Sequence, residues 1–379
     1  MRFDAFWAPR FRYDSRALGV DDAARLERSD EAWDAFVAAS AQPTHLQTTA
    51  WAHVKRANGW RPVRVAVAAG DRVLGAQMLV RRPAGRLPWG LGYVGRGPLS
   101  GRPTGNGHAI DPAVDAPTLD ADALATFTEK VRDTARRLRL AYVRIEPDLG
   151  ADSAPMLQQL GWRPAPHVQP ETTHMIQLAR PLEQVWEGLH RKARQSVNKA
   201  RRFGITVVEA DGSRLRDFYE IHVRAAQRAG ILPRPESIYR QMWSVLAPRG
   251  MARLFFAERG SPGEAVAALF LVSCSNRVVD LYGGTTGEGD ATRANYVLKW
   301  EAIQRAWAAG FTEYDLWGLP HAGIARFKQG FGGREVRYVG AWDLVTDRAG
   351  RAVLSAGIAA HTISVRLRSG RPRSRDAAD

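Results

Sequence analysis

One succession of segments occurs twice in these 379 residues. In the first, residues 63–68 and 73–81 alternate in hydropathy around Ala69-Gly70-Asp71, the pattern of a hairpin. A Gly- and Pro-rich stretch, 85–104, threads around a strand near Tyr93. Leu124, Phe127, Val131, Ala135 and Leu138 then mark one helical face, and 142–146 reads as a strand stopped by Pro147. In the second, 253–258 and 265–273 form a hairpin around Gly260-Ser261-Pro262-Gly263, and 277–283 extends. Tyr296, Trp300, Ile303 and Trp307 set a buried helix stripe, and 314–317 is a strand that, like its counterpart, opens on tyrosine. Hairpins that feed a helix and then another strand give a mixed sheet with helices on its faces. The repetition therefore predicts a duplicated α/β unit. Further helices are expected over 21–39, 45–58, 155–160, 182–203, 213–229 and 235–246, with a strand over 172–178.

Composition narrows the chemistry. A net charge of +15 favours an anionic partner, be it nucleic acid, a phosphorylated substrate or an anionic membrane, although a merely basic soluble surface has the same signature. Only Lys55, Lys130, Lys192, Lys199, Lys299 and Lys328 are lysines; the other cations are arginines. In such a chain a lysine marks a place for a compact point charge. One cysteine excludes a disulfide framework or a paired-cysteine zinc site, and the nine histidines lack metal-ligand spacing. The longest largely apolar run, 265–274, interrupted only by Ser273, is half of what a spanning helix needs, and residues 1–10 contain no apolar signal core. A cytoplasmic protein without metal or cofactor is expected.

Several segments carry candidate chemistry. In 191–202, Leu189, Ala193, Ser196, Val197 and Ala200 share one side of a helix. Arg191, Arg194, Asn198, Arg201 and Arg202 share the other, with Lys192 and Lys199 at the border. A one-signed face attracts polyanions, where an ordinary surface helix interleaves both signs. In Arg326-Phe327-Lys328-Gln329-Gly330-Phe331-Gly332-Gly333, a lysine lies between aromatics that can desolvate it; the residues alone also fit a helix ending at a glycine cap. Gln47 to Lys55 places Lys55 one helical turn after Trp51, and Arg234-Pro235-Glu236 reads as a helix start. Tyr282-Gly283-Gly284-Thr285-Thr286-Gly287 follows a strand directly, as either a ligand approach or a turn. Gly284-x-x-Gly287-x-Gly289 nearly matches the pyrophosphate loop of acetyl-coenzyme A enzymes but lacks its opening Gln or Arg. Cys274 in an apolar strand reads as core.

Taken in order, these segments, with Arg96-Gly97-Pro98, Leu281-Tyr282-Gly283-Gly284-Thr285, Asn295 to Trp300 and Tyr314-Asp315-Leu316-Trp317-Gly318, resemble the Fem family of peptidoglycan-bridge aminoacyltransferases over roughly residues 46–344. The resemblance implies two tandem GNAT-like units with a cleft between them. The first would span 20–170 and recover 325–345, and the second would span 171–324. A basic tail, 346–379, would follow. It further implies transfer of an amino acid from aminoacyl-tRNA to the stem-peptide amine of lipid II or a UDP-linked muropeptide. Under it, Lys55 and Arg234 meet phosphate, Tyr282 lies in the cleft, Trp51 contributes to substrate binding, and Phe327 with Lys328 forms the reaction centre. The Arg191, Lys192, Arg194, Asn198, Lys199 and Arg201 face would meet tRNA. Competing readings are a coenzyme A-dependent acyltransferase on the same fold and a non-enzymatic nucleic-acid-binding protein. In the tail, Val353, Leu354, Ile358 and Ile363 suggest a short amphipathic helix resting on anionic membrane, or a frayed basic end.

Overall fold

The computed structural model describes residues 22–69, 72–83, 87–101, 120–260, 264–319 and 322–368. The expected turns at 70–71 and 261–263 and the end of the basic tail lie outside them. Where one helix was expected over 21–39 there are two, α1 (Asp22–Arg28) and α2 (Asp30–Ala39). The Ser29 hydroxyl accepts from the Ala32 amide at 3.2 Å, starting a new helix and ending the old one. The Thr48 hydroxyl does the same for α3 (Thr49–Arg56), accepting from the Trp51 amide at 3.2 Å. There follow β1 (Arg61–Ala69), β2 (Arg72–Arg81), β3 (Gly90–Gly95), β4 (Leu99–Gly101), α4 (Ala121–Arg137), β5 (Leu140–Glu146), α5 (Ala154–Gln159) and β6 (Arg163–Ala165).

The second half opens with β7 (Thr172–Gln177). The helix expected over 182–203 is broken into α6 (Leu182–Glu187) and α7 (Arg191–Arg202). At the break the His190 amide donates to the Gly330 carbonyl at 2.9 Å, a tertiary bond that propensity does not reveal. Next come β8 (Ile205–Ala210), α8 (Leu215–Arg228), α9 (Glu236–Leu246), β9 (Ala252–Arg259), β10 (Glu264–Cys274), β11 (Arg277–Thr285), α10 (Gly287–Thr292) and α11 (Ala294–Ala308). The chain ends with β12 (Glu313–Asp315), α12 (Ala322–Gln329), β13 (Arg334–Arg337), β14 (Ala341–Val345) and α13 (Arg348–Arg368). The stripe on α11 is buried only in its middle: Trp300 and Ile303 are inside, while Trp307 reaches the surface and donates to the Arg180 carbonyl.

Two mixed sheets of seven strands result. One runs β1-β2-β3-β5-β14-β6 with β4 beside β2, and the other runs β13-β7-β12-β11-β10-β9-β8. Segment 325–345 divides between them. β13 pairs with β7 of the second sheet, and only β14 crosses back, inserting between β5 and β6. Each unit contains a hairpin, a third strand, a crossover helix and a parallel fourth strand. The duplication is thus present in three dimensions.

The units share an interior. Leu46, Trp51 and Val54 from the first pack with Phe218, Tyr239, Met242 and Phe270 of the second. Gln241 on α9 donates to the Val54 carbonyl at 2.9 Å and Asn58 donates back to Gln241 at 3.3 Å, fixing α3 against α9.

The parallel pairs differ. In the first unit β3 stays paired with β5 along its whole length, Gly90 through Gly95. In the second, β11 pairs with β12 only at Arg277, Val278 and Val279. β11 then continues to Thr285 along β10 while the other strand leaves the sheet, so the pair opens as a wedge.

The helical part of the tail is not free of the fold. Leu354 is buried with Leu91, Ala141 and Tyr142, and Arg351 pairs with Asp343 at 2.9 Å. Trp89 donates to Asp347 at 2.8 Å. Deleting everything after Thr346 is therefore expected to lower the unfolding midpoint. Leu354→Ala alone is expected to cost about 2–5 kcal/mol in denaturant titration. An unchanged midpoint in both would place α13 outside the folding unit.

Candidate active site

The wedge between β11 and the segment after β12 opens into a cavity of about 1030 Å³. Asp280 to Thr285 line one wall, Trp317 to Leu319 another, and Phe327 and Lys328 on α12 close its inner end. Arg234, at the start of α9, lies on the far wall with Tyr239. Of the residues singled out in the sequence, Arg234, Tyr282, Phe327 and Lys328 thus share one cavity.

At the inner end, Lys328 Nζ donates to the carbonyls of Gly318 at 2.6 Å and Trp317 at 3.2 Å. Trp317 is held at φ 59°, a left-handed conformation that costs a bulky residue energy and turns its carbonyl toward the lysine. Its amide donates to Asp315 Oδ1 at 2.7 Å, and the Arg96 guanidinium lies 5.6 Å from its ring centroid. Burial pulls the Lys328 pKa down to about 8; Lys299 pushes the same way, while Asp280 and Asp315 oppose it. Phe327 packs edge-on against Tyr296 and Phe331 at 4.8 and 5.4 Å. The cation of Lys299 lies 5.8 Å from the Phe327 ring.

Beneath Lys328 sits a charge pair that sequence reading did not single out. Lys299 of α11 and Asp280 of β11 form a direct ion pair, both side chains almost wholly buried, and the Tyr314 hydroxyl donates to the same carboxylate oxygen at 3.3 Å. The available signal was a charge in each of two otherwise apolar segments, Val278-Val279-Asp280-Leu281 and Val297-Leu298-Lys299-Trp300. Asp315 is occupied by Thr173 and the Trp317 amide, and burial raises its pKa.

Lys55 and Trp51 are not among the residues that line the cavity; Lys55 sits 4.7 Å from the Trp51 ring centroid, and burial, then the charge of Arg234, lowers its pKa to about 8. Two cations held close without a carboxylate between them are arranged for an anion such as phosphate. Tyr282 hydrogen-bonds Arg234 and packs against Tyr239 and His222 at 5.1 and 5.5 Å; burial raises its pKa, with Arg234 opposing. His45 is fully buried between Trp51 and Trp317, and burial drives its pKa to about 3, so it stays neutral and is no base. Cys274 is buried with its pKa pushed up to about 12, which makes it core and not nucleophile.

The α7 residues lie outside the cavity lining; the buried side of the helix, through Ala193, packs near Gly330, where a β-carbon would meet it at 3.6 Å. Arg191, Lys192, Asn198 and Lys199 are exposed. Arg194 is instead turned back to the carbonyls of Glu187 and Leu189, and Arg201 pairs with Glu301 at 2.9 Å. The glycine loop after β11 is spent on the protein itself. A side chain at Gly289 would strike the Val266 carbonyl, and one at Gly284 the backbone of Ile221 and His222. The Thr286 and Gly289 amides are bonded internally, and Glu288 and Asp290 occupy the first turn of α10. Carboxylates there oppose a pyrophosphate.

Two opened or closed parallel wedges on duplicated mixed sheets define a tandem GNAT fold. Residues 189–329 match the acetyltransferase (GNAT) domain family. The fold is that of the crystal structure of FemX, with a TM-score of 0.72 at 20% identity over 85% of this chain and 97% of that one. A tandem GNAT protein from the clavulanic acid biosynthesis pathway aligns with a TM-score of 0.50 at 14% identity, covering 86% of this chain and 97% of that one. In sequence, the chain is similar to the lipid II:glycine glycyltransferases of Staphylococcus saprophyticus, at 27% identity over 62% of this chain and 55% of the relative, and of Staphylococcus aureus strain MRSA252, at 24% over 64% and 56%. The chain spans about half the length of these curated relatives.

Proposed function

We propose that this protein is an acyltransferase that moves an amino acid from aminoacyl-tRNA to the stem-peptide amine of a peptidoglycan precursor. The observation that carries the reading is the wedge cavity lined by the desolvated Lys328 and by Arg234, with Lys55 outside its lining but near enough to feel the charge of Arg234. An activated ester needs no enzyme nucleophile, and no serine or cysteine is among the described residues that line this cavity. The acceptor would lay its phosphates on Lys55 and Arg234, over Trp51 and Tyr282, and bring its amine to Phe327 and Lys328. Negative charge developing on the ester carbonyl would be offset by Lys328. The exposed cations Arg191, Lys192 and Lys199 of α7 would meet tRNA phosphates. The similarity to proteins named lipid II:glycine glycyltransferase supports this acceptor class. Among the described residues no helix is long and apolar enough to cross a membrane, and the exposed Val353 and Ile358 of α13 are the surface offered for peripheral contact with anionic lipid.

The glycine loop spent on its own backbone weighs against coenzyme A. Purified protein given pools of charged tRNA with lipid II or a UDP-linked muropeptide is expected to yield an extended stem peptide. A thermal shift with acetyl-coenzyme A and none with muropeptide would reverse the assignment. Lys55→Ala and Arg234→Ala are expected to raise the acceptor KM with a smaller change in kcat, each losing a charge-assisted contact of about 1.5–3 kcal/mol. Unchanged acceptor KM in both variants would remove them from the phosphate site.

A further inference from the structure

We propose that Lys328 is the proton carrier of the reaction: as a neutral amine it takes a proton from the attacking amino group, and as an ammonium it passes that proton to the departing ribose oxygen. This rests on the aminoacyl-transfer reading and supplies the base that it otherwise lacks.

The geometry is specific. An ammonium has three N–H groups and a neutral amine has two. Lys328 holds two acceptors, the carbonyls of Trp317 and Gly318, both on one wall. A neutral Lys328 satisfies both with its two hydrogens and leaves its lone pair for the remaining direction, where the side chain borders the cavity. The cradle is fixed from outside by the left-handed backbone of Trp317, the Trp317 amide bond to Asp315 and the Arg96 guanidinium on its ring. The charged groups facing Lys328 are Asp280 from β11, Lys299 from α11 and Asp315 from β12. Neither carboxylate is free to pair with it. Asp280 is taken by Lys299 and Tyr314, and Asp315 by Thr173 and the Trp317 amide. No direct carboxylate partner therefore locks Lys328 as a cation, and burial with a neighbouring ammonium outweighs the opposing charges of Asp280 and Asp315, holding its pKa near 8.

The proton count closes. The acceptor nitrogen attacks the ester carbonyl, forming the C–N bond and a tetrahedral intermediate with positive nitrogen and negative oxygen. Lys328 removes one proton from that nitrogen, and the ammonium it becomes offsets the charge of the negative oxygen. The carbonyl re-forms, the C–O bond to the ribose breaks, and the leaving oxygen takes the proton from Lys328. The products are an amide and deacylated tRNA, with Lys328 neutral again.

Two measurements decide this. With only six lysines, ¹³Cε-lysine labelling gives a spectrum in which Lys328→Arg identifies the Lys328 signal. Its titration midpoint is expected near 8, and a midpoint above about 10 would overturn the proposal. In single-turnover transfer, the wild-type rate is expected to rise with pH through the same range. Lys328→Arg keeps the positive charge but cannot deprotonate, so it is expected to lose more than about 100-fold with a flat profile. An arginine variant within a few-fold of wild type would show that charge alone suffices and overturn proton carriage while leaving the transfer reading intact. Should the arginine fail to fit, Lys328→Met identifies the signal in its place, which Lys55, also held near 8, makes necessary, and the wild-type pH profile stands without any variant. A wild type inert with every charged tRNA and muropeptide would overturn both readings.

Discussion

Lys328→Met is expected to cut amino-acid transfer by about 10²–10³-fold with the fold retained. Methionine fills a similar volume and brings no charge into a buried place. It leaves the Trp317 and Gly318 carbonyls without their donor, a cost the rest of the chain can carry. The unfolding midpoint, followed with the initial rate, separates the two effects. Transfer within a few-fold of wild type would take Lys328 out of the reaction. A collapsed midpoint would mean the carbonyl cradle is a folding element first.

The second large effect is expected at the ion pair beneath it. Asp280→Ala strands the Lys299 ammonium in a site where it is almost fully buried, and breaking a buried pair in this way costs about 3–5 kcal/mol. The double variant Asp280→Leu with Lys299→Met removes both charges together and is expected to recover most of that loss, because two desolvation penalties vanish with one attraction. Denaturant titration of the two variants checks this. A single variant that costs under about 1 kcal/mol would mean that water reaches the pair. Asp280 raises the Lys328 pKa more than the ammonium of Lys299 lowers it, so the double variant is expected to shift the pH dependence of transfer downward.

Periodicity was enough to read the hairpins, the crossover helices and their repetition, because each rests on local alternation or an apolar stripe. It could not show where helices break. The interruption at Gly188 depends on the His190 amide meeting a carbonyl 140 positions away, at Gly330. Strand β8 was missed because Ile205-Thr206-Val207-Val208 follows a helix without a turn signal strong enough to separate them. The division of 325–345 between two sheets was hidden because β13 and β14 are short and differ only in which edge they meet. At the site, the motif lysine and its aromatic neighbours stood out by composition. The Trp317 carbonyl cradle did not, since a left-handed tryptophan looks like any other in a sequence. Asp280 and Lys299 became a pair only when a strand and a helix were laid together.

The late return of β14 has a consequence for biosynthesis. Arg144 on β5 and Asp343 on β14, which bond at 2.7 Å, are 199 residues apart. At roughly 5–20 residues per second the ribosome needs about 10–40 s to span that interval. Throughout it, one side of β5, with Val143 and Ile145 at its centre, is a sheet edge without its partner. An apolar edge is a template for the wrong chain, and the cell would have to shield it, whether by a chaperone or by the emerging second unit. Nascent chains stalled short of residue 341 are therefore expected to be cut by protease between β5 and β6, and those stalled well past 345 to be protected. Solubility on overexpression would then be limited by the speed of translation and not by the stability of the finished protein.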